Sequence, residues 1–328
     1  MCTCLFLKTK PNLFGRNMDV EFDLNESIII VPRNYKIKYK KERENDKHFA
    51  FIGMGTIIDN YPFFFDATNE YGLSMALLNF KGNAKYYNLK KDKNNVAPYE
   101  LLLFLLSTCK DIKDVKEKTK KINIINEPYS ENLPLAEVHF MIADKKESIV
   151  IETTKEGMKV YENKYNVLTN NPPFSYHECN VSNYMFLSIE NHNNLISKET
   201  KIYNYSNGQG AMFLPGDYSS TSRFIKVFFI KSNMELYDSK EKNINQFFNC
   251  LESVKMIKGT VKTKLGLEYT RYTSCVDVDS QIYHYKNYNN NYFAINMRDY
   301  NLEDSDLLIT NNTIEQYFFN WIIDSGRI

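Results

Sequence analysis

The residue best equipped to do chemistry is the second one. In "CTCLFLKTKPNLFGRNMD" (2–19), Cys2 directly follows the initiator methionine, and Arg16 and Asp19 lie downstream. If Met1 is removed, which a side chain as small as cysteine permits, Cys2 carries a thiol and a free α-amine on one carbon. A thiol acts as a nucleophile at neutral pH when a base or a positive field is nearby. An α-amine titrates near ~8, well below a lysine, so it is a base tethered to that thiol. One residue then holds nucleophile and general base, and no histidine is needed. Read alone, Cys2 equally fits an inert strand position, because cysteine is among the most buried residue types. Arg16 and Asp19 suit a supporting shell: an arginine to stabilise a thiolate, an aspartate to hold the amine. Their spacing alone fits a surface ion pair as well.

These residues need strands to position them. The runs 2–8, 13–19, 27–32, 49–55 and 72–80 read as β-strands separated by Pro, Asn, Gly and charged turns. The turn "KPN" (10–12) would fold 13–19 back on 2–8 as a hairpin. By that reading Cys4, two residues from Cys2, is expected on the opposite strand face, without a catalytic role. Helices are expected at 98–109, with Pro98 in the first turn, and at 111–122, with Asp111 as N-cap. Strands return at 137–144, 148–154 and 158–163, helices at 221–233 and 243–256, and a strand-like C-terminal portion follows. Strict βαβ alternation is missing, which disfavours a doubly wound parallel sheet. Two antiparallel sheets with helices outside them would bury both apolar strand faces. No linker, internal repeat or low-complexity tract stands out beyond the Asn-rich loop 287–291, so one domain over 1–328 is the simpler reading.

Composition narrows the partners. Lys+Arg 41 against Asp+Glu 40 gives a formal charge of +1, so no basic surplus points to nucleic acid. The longest apolar stretches, 101–106 and 224–230, fall far short of the ~20 residues a membrane helix needs, and "CLFL" followed by Lys8 is no signal peptide. The six cysteines form no CxxC pair and no disulfide framework, which suggests a reduced chain in the cytoplasm. The five histidines lie far apart in sequence, with no HExxH and no Cys/His cluster, so no metal is expected. The stretch "GQGAMFLPG" (208–216) lacks the P-loop pattern, and no GxSxG elbow is present.

Five blocks in one order then carry a family resemblance: Cys2 with "FGRNMD" (14–19), "YPFFFDATNEYGLSMALLNF" (61–80), "VLTNNPPFSYH" (167–177), "LPGDYSSTSRF" (214–224) and "YTSCVD" (272–277). The chain resembles the choloylglycine hydrolase family of bile salt hydrolases and penicillin V acylases, which are N-terminal-nucleophile hydrolases. The resemblance implies an α+β fold, the four-layer αββα sandwich of two antiparallel sheets flanked by helices. It implies Cys2 as nucleophile, forming a thioester with its own α-amine as base and then acid, and no cofactor. Arg16 would sit by the thiol and Asp19 would hold the amine. Asn79 and Asn170 would supply oxyanion donors, and Arg223 would stabilise the site electrostatically. Asn79 and Asn170 also fit turn positions, and Arg223 fits a solvated helix start.

Asn79 looks like the bile salt hydrolase version of the family, which tilts the expected substrate towards glycine- or taurine-conjugated bile salts. Met18, Leu24, Ile58, Phe65, Leu133 and Val138 stand in segments that resemble the family's pocket loops, and each also fits ordinary packing. The bulk of "FFF" (63–65) and of Tyr129 would narrow the pocket towards a phenoxyacetyl or fatty acyl group. Penicillin V or another N-acyl amide is therefore the alternative substrate, and an inactive relative that only binds a steroid or acyl ligand is the alternative of another class. The resemblance also suggests a homotetramer, for which 24 Tyr and 22 Phe give material to bury.

Overall fold

The computed structural model describes residues 1–310. The chain starts with β1 (Cys2–Leu7), β2 (Leu13–Val20), β3 (Ser27–Val31), β4 (Phe51–Ile58), β5 (Tyr61–Asn69), β6 (Ser74–Asn79) and β7 (Asn94–Val96). Two helices, α1 (Leu101–Leu106) and α2 (Ile112–Thr119), precede β8 (Ile122–Ile124), β9 (Val138–Ala143), β10 (Ser148–Thr154), β11 (Gly157–Glu162) and β12 (Val167–Leu168). Then come α3 (Phe174–Asn180), α4 (Ser220–Asn233) and α5 (Lys240–Glu252), and finally β13 (Val261–Lys262), β14 (Leu267–Asp277), β15 (Ile282–Asn287), β16 (Tyr292–Asn296) and β17 (Leu308–Thr310).

The strands form two antiparallel sheets. The first runs β12-β1-β2-β14-β15-β16, with β13 on β14; the second runs β11-β10-β9-β6-β5-β4-β3-β17. One apolar core fills the space between the sheets and continues beneath α4 and α5, uniting Phe6, Met18, Met54, Leu78, Phe224 and Phe247. A second lies between the other face of the second sheet and α1 and α2, through Phe51, Phe64, Leu102, Val115 and Phe140. The result is the αββα sandwich. Because β1 and β2 are covered on both sides, they are buried at every position, and their sequences show no polar-apolar alternation.

The expected hairpin forms, with Cys2 opposite Met18 and Cys4 opposite Arg16. Gly15 is required there: a Cβ would lie 2.0 Å from Ser274 O of β14. Side chains two apart in a strand share a face. Cys4 therefore lies on the same face as Cys2, not the opposite one as the sequence reading had it; it is fully buried, and burial pushes its thiol pKa up despite Arg16.

Other departures are local. Strand β5 was not read as a strand, because its aromatic run lacks alternation. Helix α1 is shorter than 98–109, since Glu100 closes a turn onto Ala97 with its N–H and takes the Ala97 N–H with its carboxylate (2.8 Å). Helix α5 starts at Lys240, ahead of the expected 243, because Ser239 caps it by accepting from Lys242 N.

Candidate active site

The site is assembled at the first residue of β1, where three buried groups converge on Cys2. Residue i and residue i+3 of a strand point to opposite faces, and Arg16 and Asp19 do so. Arg16 points into the inter-sheet space with Cys2; Asp19 points towards α4 and α5.

The Arg16 side chain crosses from one sheet to the other. A register shift between Met54 and Gly55 leaves Phe65 as the extra residue of β5, and the β5–β6 ladder stops at the Asp66–Ala76 pair. The freed carbonyls of Phe65 and Leu77 accept from Arg16 Nη1 at 3.1 and 2.5 Å. Nη2 donates to Cys2 Sγ. The guanidinium is fully buried; burial pushes its pKa down, but Cys2, Tyr272, Asp66 and Cys4 together more than reverse this, so it stays charged. Behind it, Asp66 accepts from Tyr272 OH at 2.8 Å, from Tyr283 OH and from Ser274 Oγ at 3.3 Å. Burial raises the Asp66 pKa, against the pull of Arg16 and these hydroxyls.

The main chain of Cys2 is held separately. Its N–H donates to Asn170 Oδ1 at 2.7 Å. Its carbonyl accepts from Arg223 Nη1 at 2.5 Å, and the same nitrogen reaches Thr3 Oγ1 at 2.6 Å. Arg223 Nη2 donates to Asn170 Oδ1 at 2.9 Å and Nε to Tyr218 O at 2.9 Å. Arg223 is thus fully buried in the first turn of α4, not solvated; burial lowers its pKa, opposed by Asp19, Cys2 and Asp217. Asn170 Nδ2 donates to Asn79 O at 2.8 Å. The Asn79 side chain is at the exposed end of β6, where its Oδ1 accepts from Lys81 N.

Asp19 presents the unresolved valence. Its Oδ1 accepts from Thr270 Oγ1 at 2.5 Å, while Oδ2 is buried without a hydrogen-bond partner. With Met1 in place, the Cys2 nitrogen is an amide with one hydrogen, already given to Asn170. Met1 packs its α-ammonium against Asp19 O at 2.9 Å and the buried carboxylate of Glu268.

The residues expected to line a pocket fall into two groups. Met18 lies beside the thiol, its Sδ 4.0 Å from Cys2 Sγ, and Leu24 and Phe65 pack half-buried against the inter-sheet core. Ile58 and Leu133 are half-buried in loop-proximal positions. Val138 and Tyr129 face the other core, under α1 and α2. The "FFF" run divides in the same way: Phe65 faces between the sheets, Phe64 packs on Phe51, and Phe63 joins Tyr61, Tyr99 and Tyr129 in a ring cluster.

Sequence reasoning assigned no role to Asp66, Tyr272 or Tyr283, although a carboxylate inside an apolar strand was a visible signal. It also treated the histidines as scattered. His139 and His177 instead meet at Thr169–Asn170 in the folded chain. Among the described residues no group of three or more His, Cys, Asp or Glu side chains is arranged to hold a metal ion, and no helix is long and apolar enough to cross a membrane.

A sequence model of the linear amide C–N hydrolases, choloylglycine hydrolase family, matches residues 2–311. A bile salt hydrolase/transferase from Lactiplantibacillus plantarum is 40% identical over 310 residues, covering 94% of this chain and 96% of that protein. The crystal structure of a variant conjugated bile acid hydrolase from Clostridium perfringens superposes with a TM-score of 0.89 at 38% identity, covering 97% of this chain and 100% of that one. Penicillin V acylase from Agrobacterium tumefaciens shares the fold, with a TM-score of 0.75 at 15% identity over 94% of this chain and 90% of that one.

Proposed function

Because this chain belongs to the choloylglycine hydrolase family of linear amide C–N hydrolases, we propose that it cleaves glycine- or taurine-conjugated bile salts through a thioester on Cys2. The observation that carries this reading is the double grip on Cys2: Arg16 on the thiol, Asn170 and Arg223 on the main chain. Relatives named for bile salt or conjugated bile acid hydrolysis, alike over nearly the whole chain, support the substrate class.

Removal of Met1 converts the Cys2 amide into an amine that bears further hydrogens, and the orphan Asp19 Oδ2 is the buried acceptor for one of them. The amine takes the thiol proton as Sγ attacks the amide carbon. The S–C bond forms, and the carbonyl oxygen becomes an oxyanion that receives the second hydrogen of Asn170 Nδ2 and one from Asn79 Nδ2. Such donors are commonly worth ~3 kcal/mol in acyl transfer. The C–N bond then breaks as the α-ammonium returns its proton to the leaving glycine or taurine nitrogen. Water, deprotonated by the same amine, attacks the thioester; the C–S bond breaks and the thiolate recovers its proton. Arg16 offsets the charge on sulfur throughout. Arg223 touches the Cys2 carbonyl and not the thiol, so its part is to fix the nucleophile's main chain. Met18, Leu24 and Phe65 form the wall for the steroid body, with Ile58 and Leu133 at the rim; Val138 and Tyr129 back that wall from the outer core.

We infer further that the chain acts as a homotetramer. The segment 185–213 supports this, because it displays Met185, Leu195, Ile196, Tyr203, Tyr205 and Phe213 at 76–92% exposure, an apolar patch of the kind that marks an interface. A reducing compartment such as the cytoplasm suits the six free thiols.

The test is a substrate panel on purified protein with Met1 shown absent by intact mass. Amine release is measured from glycocholate, taurocholate, penicillin V and N-acyl amides, with Cys2→Ser as the blank. Fastest release from the conjugated bile salts is expected. Preference for penicillin V or a fatty acyl amide would keep the mechanism and change the substrate; no turnover at all would leave the binding-only reading.

A further inference from the structure

Two buried histidines outside the six expected catalytic positions converge on one dipeptide. His139 Nε2, from β9, donates to Thr169 O at 2.9 Å. His177 Nε2, from α3, donates to Asn170 O at 3.0 Å. Both side chains are fully buried. Further polar groups of the dipeptide are held from the start of α4: Asn170 N donates to Ser220 Oγ at 2.8 Å and Thr169 Oγ1 to Ser220 O at 3.0 Å. The Asn170 side chain is thereby fixed from behind while it contacts Cys2 N and Asn79 O.

The ring faces add a second level of coupling. His139 stacks on Phe80 with centroids 4.4 Å apart and planes 5° from parallel. His177 stacks on Phe224 at 4.7 Å and 16°. Phe80 directly follows Asn79, and Phe224 directly follows Arg223. Each imidazole therefore binds the Asn170 segment by its edge and the neighbour of another expected site residue by its face.

Protonation is constrained by the partners. A backbone carbonyl only accepts, so Nε2 of each ring carries hydrogen. His139 Nδ1 faces Glu152 Oε1 at 3.0 Å, and Phe174 N donates to that same oxygen at 2.9 Å. The His139–Glu152 pair therefore holds one proton between its two facing atoms. His177 Nδ1 is buried without a partner, and burial lowers the pKa of this ring to about 4, so it is the neutral Nε2–H tautomer.

We propose that His139 and His177 are positioning residues that set Asn170, and through it the Cys2 amine and the oxyanion donor, for the hydrolysis proposed above. The inference rests on that reading for its catalytic consequence, but it also has a consequence that needs no substrate. A displaced Asn170 Oδ1 no longer orients the Cys2 nitrogen, so the thiol loses its placed base and alkylates more slowly.

The experiment compares His177→Gln, His177→Leu, His139→Gln and His139→Leu with the parent, each confirmed folded by near-UV circular dichroism and free of Met1 by intact mass. Glutamine keeps a neutral N–H donor; leucine keeps bulk and removes it. Expected are a 10- to 100-fold fall in kcat with KM changed less than threefold for the leucine variants, recovery of at least a third of parental kcat in His177→Gln, and a matching fall in the rate of Cys2 alkylation by iodoacetamide, with its pH profile displaced. His139→Gln is expected to recover less, because it cannot share the Glu152 proton. Folded leucine variants with kcat and alkylation within twofold of the parent would overturn the proposal, as would equal losses in glutamine and leucine variants at position 177. If no amide is turned over by the parent, the alkylation arm still decides the positioning role, and the failure lies with the proposed reaction.

Discussion

Arg223 grips Cys2 by its main chain: Nη1 donates to the Cys2 carbonyl at 2.5 Å while Nη2 holds Asn170 Oδ1, the same oxygen that accepts from Cys2 N. Two ends of the nucleophile are thus tied to one planar fork. A lysine has a single nitrogen and lacks that geometry. Arg223→Lys is expected to lower kcat about 100-fold and stability by roughly 1.5–3 kcal/mol, the scale of a lost hydrogen bond from a charged group. Steady-state kinetics and urea unfolding at pH 7 check it; an unchanged unfolding midpoint would contradict the assigned role.

Asp19 offers a prediction in pH. A carboxylate beside an amine favours the charged ammonium and raises its pKa. Asp19→Asn removes that field, so the Cys2 amine should lose its proton at lower pH and be a weaker base. The acid limb of kcat/KM is expected to move down in pH while the plateau falls 10- to 100-fold. A full pH-rate profile of both proteins measures it.

His177 couples stability to acidity. Its folded pKa of about 4 lies below the ordinary 6.5, so between these values the unfolded chain binds a proton that the native chain does not. Stability then falls as pH drops from 6.5 towards 4 and levels off below. The full window is worth about 3 kcal/mol. His284, also lowered by burial to about 4, acts in the same direction. Urea unfolding from pH 7 to pH 4 should show a shallower slope in His177→Gln than in the parent.

Asp66 gives a stability prediction separate from chemistry. Its charge and that of the buried Arg16 guanidinium act on each other, and three hydroxyls orient it. Asp66→Ala should leave Arg16 without its counter-charge and three hydroxyls without an acceptor, costing roughly 3–5 kcal/mol. Thermal unfolding of the variant checks this; a loss below 1 kcal/mol would mean Cys2 alone compensates Arg16.

If the chain assembles as proposed, the apolar segment 185–213 makes that assembly concentration-dependent. Leu195→Ser with Ile196→Ser removes two side chains exposed at 92% and 89% and should shift the proposed homotetramer towards smaller species in light scattering, with the monomer fold intact; an unchanged molar mass would remove this segment from the interface.

Much of this protein is written locally. Cys2 behind Met1, the apolar runs of β1 and β9, the Asp111 cap of α2 and the missing βαβ alternation are properties of adjacent residues, so two antiparallel sheets with helices outside them were legible from them, while the family and its αββα sandwich were legible from the resemblance of five ordered blocks. Strand β5 was not, because its aromatic run is buried on both faces and carries no period. What only the tertiary structure decided is every relation across the chain. Arg16 reaches Leu77 because the β5–β6 ladder of the other sheet stops short of that carbonyl. His139, on β9, and His177, on α3, meet at the Thr169–Asn170 dipeptide only in the folded chain. The contacts of Arg16 with Leu77 and of His139 with Thr169 join residues 61 and 30 positions apart, and no local propensity encodes which carbonyl a buried donor will find.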